Sequence, residues 1–211
     1  MDLLPSLHSS CASLISSFSL IPQDRQARLS QLSHYIVQKL KAGSSASLIV
    51  ICTHNSRRSH MAQLWLAVAA HHYGLSPIHT YSGGTEATAF NPRAVKAMQE
   101  IGFQIHTKAS TDNNPLYLIR WTKGMQAYQA FSKPYYASPN PDSHFAAIMV
   151  CTQADETCPL VQGCDFRISL PYNDPKAFDH TQQESAKYTE RCLQIGREML
   201  FVMAMAQKQL A

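Results

Sequence analysis

Residues 47–59, SLIVICTHNSRRS, decide the fold of this chain. The segment begins with a short apolar run, SLIVIC (47–52), which has the composition of a strand buried on both faces. A polar turn follows at once, and SHMAQLWLAVAAHHYG (59–74) then shows a helical pattern that Gly74 can end. A buried strand that leads through a tight turn into a helix is typical of parallel α/β sheets.

The alternation of strands and helices continues along the chain. Asn91 and Pro92 provide an N-cap and a first residue for a helix that Gly102 ends, and a long helix is expected over about residues 182–207. Three further segments are short, apolar strand candidates: IHTYS (78–82), AAIMVC (146–151) and FRISL (166–170). The order predicts an α/β fold with a parallel sheet that helices cover on both faces.

Two segments lie outside this alternation. Residues 1–43 are predicted to form an N-terminal helical extension, in which Asp24 caps a helix that Gly43 ends. Between about residues 113 and 144, LYLIRW and QAYQAF flank TKGM, which predicts a β-hairpin insert. We therefore expect a catalytic domain at 44–211 that carries the insert at 113–144 and is preceded by the extension.

Composition limits the function classes. The chain has 211 residues, 45% hydrophobic and 15% charged, which suffices for one packed core. Its net charge is +4 without a run of Lys or Arg, so we predict no nucleic-acid partner. The first twenty residues lack a basic start, and no apolar stretch is long enough to span a bilayer. We expect a cytoplasmic protein without a membrane segment.

Six cysteines and ten histidines remain as candidates for chemistry. In a reducing compartment the cysteines are expected to be catalytic, redox-active or buried. We interpret Cys164 and Cys192 as packing residues and Cys11 as incidental. The histidines show no ligand spacing such as HExxH, so we predict neither a metal site nor a cofactor.

The loop from Cys52 to Ser59, CTHNSRRS, joins the first strand to the helix. Backbone amides in such a turn form a concave anion site, and the helix N-terminus adds partial positive charge. Arg58 can clamp two oxygens of a tetrahedral oxyanion, and Ser59 can donate a hydrogen bond to the Cys52 sulfur. A thiol in this field is expected to be a nucleophilic thiolate. Alternatively, Cys52 is a buried strand-end residue and the arginines are solvated.

Further motifs accompany this loop: YSGGTEA (81–87), NPRAVKAMQEIGF (91–103) and Asn173-Asp174-Pro175. With the loop they resemble the low-molecular-weight protein tyrosine phosphatases and the thioredoxin-coupled arsenate reductases that share their fold. The resemblance covers about residues 47–207, apart from the insert. It implies a four-stranded parallel sheet with helices on both sides and a phosphate or arsenate site at the loop.

The resemblance also implies residue roles. Cys52 is the implied nucleophile, and Asp174 the implied general acid, whereas an isolated Asp-Pro is more often a turn. Oxyanion contacts are implied for six loop residues: Thr53, His54, Asn55, Ser56, Arg57 and Arg58. His54 stands where the family usually has Gly, and Arg57 where it often has a second Cys. We expect His54 to crowd the turn or contact the anion, and Arg57 to add charge at the rim.

VCTQADETCP (150–159) places Cys151 at a strand end and Cys158 seven residues later. It resembles the segment that carries the two resolving cysteines of thioredoxin-coupled arsenate reductases. In the implied relay Cys151 attacks the Cys52 sulfur and releases arsenite, and Cys158 then carries the disulfide outward to thioredoxin. The relay requires the polar QADET linker to move. Alternatively, Cys151 is a core residue and Cys158 a buried loop thiol.

Three functions therefore stay open. The first is arsenate reduction with thioredoxin as the electron donor. The second is hydrolysis of phosphotyrosine or a smaller phosphoester by Cys52, Arg58 and Asp174, and the third is an oxyanion-binding regulator without turnover. In each case the 113–144 insert is expected to line one side of the pocket, because it precedes the strand that ends in Cys151.

Overall fold

The structure is a computed structural model and describes residues 2–108, 113–157 and 160–211. Within these ranges the chain forms six α-helices and seven strands, and short 3-10 helices cover Phe18–Leu20 and Pro175–Phe178. The helices are α1 (Pro5–Ser16), α2 (Gln23–Lys41), α3 (Arg58–His72), α4 (Pro92–Ile101), α5 (Thr152–Thr157) and α6 (Glu184–Leu210). The strands are β1 (Ala46–Cys52), β2 (Ile78–Gly84), β3 (Gln104–Thr107), β4 (Tyr117–Arg120), β5 (Tyr128–Ala130), β6 (Phe145–Met149) and β7 (Cys164–Ser169).

The main sheet is parallel, with the strand order β2-β1-β6-β7. The predicted α/β fold with a four-stranded parallel sheet is therefore confirmed. Residues 48–51 of β1 and all five residues of β6 are buried. Burial on both faces explains why these strands are continuous apolar runs in the sequence.

The register brings three strand ends together. Cys52 at the end of β1 pairs with Gly84 of β2, and Ile51 pairs with Met149 of β6. The segments that follow β1, β2 and β6 therefore start at the same edge of the sheet. Open α/β sheets bind ligands at this carboxyl edge.

The N-terminal helices share the core of the sheet. Both α1 and α2 contact α6, and Leu7, Leu29 and Ile36 are fully buried in the same apolar cluster as β1. Residues 1–43 are therefore helical, as predicted, and they cover α6. The division of the chain at residue 43 stays a prediction.

The predicted end of α2 is correct, but the predicted N-cap is wrong. Asp24 is not the N-cap, because Pro22 occupies that position and Asp24 lies in the first turn. Proline supplies a fixed φ for the entry into the helix without a side-chain acceptor. Gly43 has a φ of +71°, and its amide donates to Leu40 O, so the helix ends as predicted.

A second, antiparallel sheet of three strands has the order β3-β4-β5. The predicted hairpin is confirmed as β4 and β5. Strand β3 was not predicted, because three of the four residues in QIHT are polar. The Leu4 amide donates to Trp121 O (2.9 Å), which ties the N-terminus to the hairpin.

Helix α6 is the long C-terminal helix that the sequence predicted. Five residues that were expected to share one side are all buried: Tyr188, Cys192, Ile195, Met199 and Met203. In the part of the chain that the structure describes, no helix has both the length and the apolar character needed to cross a membrane.

Candidate active site

The Cys52 loop lies between β1 and α3, as the sequence predicted. Cys52 is 4% exposed, and its Sγ lies 3.1 Å from Ser59 Oγ, within hydrogen-bonding distance. The first amides of α3 have no carbonyl partner within the helix, which makes them available to an anion beside the sulfur. The catalytic and anion-binding roles of these residues stay predictions.

Asn55 holds the loop through its side chain, which the sequence analysis did not foresee. Its Nδ2 donates to Ser59 Oγ and to Ser82 Oγ, both at 2.9 Å. Its Oδ1 accepts from the Lys133 amide at 2.9 Å. Asn55 has a φ of +43°, a conformation in which Asn is enriched. The presence of an Asn in this turn was the sequence feature that could have indicated its structural role.

Neighbouring segments hold the backbone of the loop. Thr53 O accepts from the Glu86 amide, and Ser56 O accepts from the Asn91 amide, both at 2.8 Å. A Cβ at Gly84 would lie 2.6 Å from Thr53 O, closer than real contacts allow. The second glycine of YSGG is therefore required by the close approach of β2 to the loop.

Arg58 brings Asp174 to the loop. Its Nη1 donates to Tyr172 O (2.8 Å), and its Nη2 pairs with Asp174 Oδ2 at 2.7 Å. Asp174 Oδ1 accepts from the Lys176 amide and so also caps the 3-10 helix that follows. The sequence left open whether Asp174 forms a turn or places an acidic group at the site. In the structure Asp174 does both.

The expectation that Arg57 adds charge at the rim is wrong for its side chain. Arg57 Nε donates to Tyr188 Oη (2.8 Å), Nη2 lies 3.6 Å from Asp179 Oδ2, and the side chain is 12% exposed. Tyr188 also donates to Asp179 Oδ1, and burial together with this carboxylate raises the pKa of Tyr188 to about 12. The Arg57 backbone amide remains as the candidate anion contact.

His54 does not crowd the turn, because its side chain points outward. It is 45% exposed and lies 3.9 Å from Glu86 Oε2. The His54 carbonyl accepts from Thr88 Oγ1 and from Ser132 Oγ, both at 3.1 Å. Ser132 belongs to the 113–144 insert, so the insert lies directly against the loop.

Cys151 follows β6 and lies beside the Cys52 loop. Its Sγ is 3.4 Å from Thr53 Oγ1, the residue after Cys52. The Ala154 amide donates to the same sulfur at 3.4 Å, and Cys151 is 2% exposed. Cys158, the third cysteine of the predicted relay, lies outside the described residues.

The QADET segment is a helix rather than the polar linker that the sequence suggested. It forms α5, because Gln, Ala and Glu favour helices. Asp155 holds this helix to β7 through Arg167 Nη2 (2.5 Å) and Ser169 Oγ (2.6 Å). These two contacts therefore anchor α5 to β7.

The remaining cysteines lie away from the loop. Cys11 and Cys192 are fully buried, and burial raises the pKa of each thiol to about 12. Trp65 Nε1 donates to Cys192 Sγ at 3.4 Å, which fits the predicted packing role. Cys164 lies partly exposed in β7, and burial raises the pKa of this thiol as well.

Comparisons with known proteins agree with this fold and loop. The model of the low molecular weight phosphotyrosine protein phosphatase family matches residues 47–116. An arsenate reductase of Bacillus licheniformis is 30% identical over 148 residues, which cover 70% of this chain and 87% of that protein. An arsenate reductase of Bacillus subtilis is 29% identical over 143 residues, 67% of this chain and 82% of that protein.

A solved structure of a low molecular weight phosphotyrosine phosphatase from Vibrio cholerae O395 has the same fold. Its TM-score is 0.51 at 16% identity, and the match covers 78% of this chain and 98% of that one. The chain belongs to the family of the low-molecular-weight protein tyrosine phosphatases and the arsenate reductases related to them, whose members are enzymes.

Proposed function

We propose that the protein reduces arsenate to arsenite, with Cys52 as the nucleophile and Cys151 as the second thiol. The observation that carries the proposal is the position of Cys151, whose Sγ lies 3.4 Å from Thr53 Oγ1 at the base of the loop. Hydrolysis of a phosphoester does not need a second thiol there. The relatives that match over most of their length are arsenate reductases, which adds support.

In the first step the Cys52 thiolate attacks arsenic(V), and one arsenate oxygen takes up a proton and leaves as water. The loop amides, and Arg58 once it turns from Asp174, bind the remaining oxygens. Ser59, held by Asn55, can donate a hydrogen bond to the Cys52 sulfur. The product is a Cys52–arsenate adduct in which arsenic is still pentavalent.

In the second step the Cys151 thiolate attacks the Cys52 sulfur. A sulfur–sulfur bond forms, the sulfur–arsenic bond breaks, and its electron pair stays on arsenic, which leaves as arsenite. The two sulfurs supply the two electrons. Cys158 then attacks the Cys151 sulfur, so that Cys52 leaves as a thiolate and the disulfide moves to Cys151 and Cys158.

An external dithiol must reduce this last disulfide, and thioredoxin is the reductant that the relay suits. The reaction belongs in the cytoplasm, where thioredoxin keeps thiols reduced. The carrier sulfur has to reach the surface, and the release of Asp155 from Arg167 and Ser169 would free α5 for that movement.

The test is an assay of arsenate-dependent NADPH oxidation with thioredoxin and thioredoxin reductase. The wild-type chain should turn over, whereas Cys52→Ser and Cys151→Ser should fall to background because each lacks a sulfur that forms the first disulfide. Cys164 is a partly exposed cysteine in β7. The Cys164→Ser variant is therefore the matched control and should behave as wild type. Sustained turnover by Cys151→Ser would refute the proposal.

Phosphoester hydrolysis is the second candidate, and the pairing of Asp174 with Arg58 favours it. The contact brings a carboxyl group to the mouth of the loop, where it could protonate a leaving oxygen. Asp174→Asn should then lower kcat toward p-nitrophenyl phosphate about 100-fold or more. A chain that binds sulfate but turns over neither arsenate nor p-nitrophenyl phosphate would instead be an oxyanion-binding regulator.

A further inference from the structure

A groove of about 710 Å³ lies behind the Cys52 loop, between α3, the edge strand β2 and the hairpin sheet. Its walls combine polar and aromatic side chains, among them Gln63, Thr80, Tyr81, Trp121, Tyr128 and Lys133. Of the residues that the structure describes, none from 52–59 lines it. The groove is thus a separate space from the oxyanion loop.

Lys133 contributes a cationic side chain to the wall of this groove. The residue is 5% exposed, and its backbone is fixed by hydrogen bonds to Asn55 Oδ1 and from the Gly84 amide. Its Nζ lies 4.8 Å from the centre of the Phe131 ring, and within the described ranges it has no carboxylate or hydrogen-bond partner. Burial lowers the pKa of Lys133 to about 8, so the amine is still mostly protonated at pH 7.

Gln63 provides a complementary acceptor. Its Nε2 donates to Tyr128 Oη (2.7 Å) and to Thr80 O (3.3 Å), which fixes the orientation of the amide. Its Oε1 is buried and lacks a hydrogen-bond partner among the described residues. Buried polar groups in folded proteins are nearly always satisfied, and a lone buried charge is costly. A buried acceptor without a partner among the described residues and a cationic side chain in the same groove suit a ligand that carries both a hydrogen-bond donor and an anion.

We propose that this groove binds a small organic anion whose anionic oxygens pair with Lys133 and which donates a hydrogen bond to Gln63 Oε1. The Trp121 and Tyr128 rings, whose centroids lie 5.4 Å apart, line the same groove, so we expect the body of the ligand to be planar. The site is independent of arsenate reduction. A carboxylate and a phosphate both carry anionic oxygens that can pair with Lys133, and the binding test distinguishes between them.

The test uses the full-length chain with two probes, 4-aminobenzoate and 4-aminophenylphosphonate, each of which carries an anion and an amino donor. Calorimetry gives the dissociation constants, and two-dimensional NMR of the labelled protein locates the probe. We expect shifts at the Gln63 side-chain amide and the Trp121 indole. The probe that binds more tightly identifies the ligand as a carboxylate or a phosphate.

Variants separate ligand binding from a purely structural role of these residues. Lys133→Met should raise the dissociation constant at least about tenfold. Gln63→Leu should raise it several-fold, and the exposed control Lys123→Met should leave it unchanged. Lys133→Met should not lower the melting temperature, because it removes a charge from a largely buried residue that has no carboxylate partner within the described ranges. Equal affinity in Lys133→Met, shifts confined to residues 52–59, or no binding of either probe would overturn the proposal.

Discussion

The Cys52 loop and the segment after Cys151 meet at one edge of the sheet but are held very differently. The loop is fixed by hydrogen bonds with β2, with the N-cap residue of α4 and with the insert, and Asn55 makes two of these contacts, to Ser82 and to Lys133. The segment after Cys151 is a single short helix that Asp155 holds to β7. The proposed nucleophile Cys52 therefore lies in a preorganised loop, whereas the proposed second thiol, Cys151, lies next to a short helix that one side chain holds to β7.

The largest effect is expected from Asn55→Ala, which removes the three side-chain hydrogen bonds that hold the loop. The change leaves Ser82, Ser59 and the Lys133 amide without their partner, so we expect the free energy of unfolding to fall by about 3 kcal/mol. Turnover should fall as well, because the loop amides lose their fixed position. Chemical denaturation and steady-state assays measure both quantities. Asn113→Ala, at an exposed position, is the control, and equal losses in the two variants would contradict the account.

A second effect concerns acid stability beneath the loop. His60 is fully buried and stacks on Phe90, and burial together with the charge of Lys133 lowers the pKa of His60 to about 3. The unfolded chain binds this proton near pH 6.5, so the folded state loses stability as the pH falls from 6.5 toward 3. The slope is at most about 1.4 kcal/mol for each pH unit from this one group.

His60→Phe should remove that part of the slope, whereas the exposed control His144→Gln should keep it. Denaturation curves across the acid range provide the comparison. An unchanged slope in His60→Phe would mean that other groups titrate in this window and that His60 does not contribute to it.

The smallest effect is expected from Asp155→Ala, in the segment that follows Cys151. Loss of the contacts to Arg167 and Ser169 should lower the free energy of unfolding by about 1 kcal/mol, because these side chains are partly exposed. Release of α5 should leave hydrolysis of p-nitrophenyl phosphate unchanged and should not slow disulfide transfer in stopped-flow measurements. A large loss of phosphatase activity would show that α5 supports the loop directly.

The sequence predicted the main sheet and the position of the loop because both depend on local patterns. Apolar runs fixed the strands, and Asn91, Gly43 and Gly102 marked helix ends through their conformational preferences. Contacts between segments that are distant in the sequence could not be predicted from local patterns. Nothing near Asn55 in the sequence indicates that Lys133 and Ser82 would surround it.

Side-chain directions account for the errors. Arg57 was expected to add charge at the rim, but Tyr188 and Asp179 from the distant C-terminal part bind its side chain. The helix α5 was missed because QADET is polar and short, and Asp155 finds partners only once β7 lies beside it. Local composition cannot reveal such partners.

The most direct test of the account is the fate of Cys158→Ser with one equivalent of arsenate. We expect a single round of reduction, after which the chain stalls with Cys52 joined to Cys151, because no thiol remains to move the disulfide outward. Peptide mass mapping should reveal that crosslink, and hydrolysis of p-nitrophenyl phosphate by the reduced variant should be nearly unchanged. Continued turnover of arsenate with thioredoxin at the wild-type rate would contradict the relay and favour the phosphatase function.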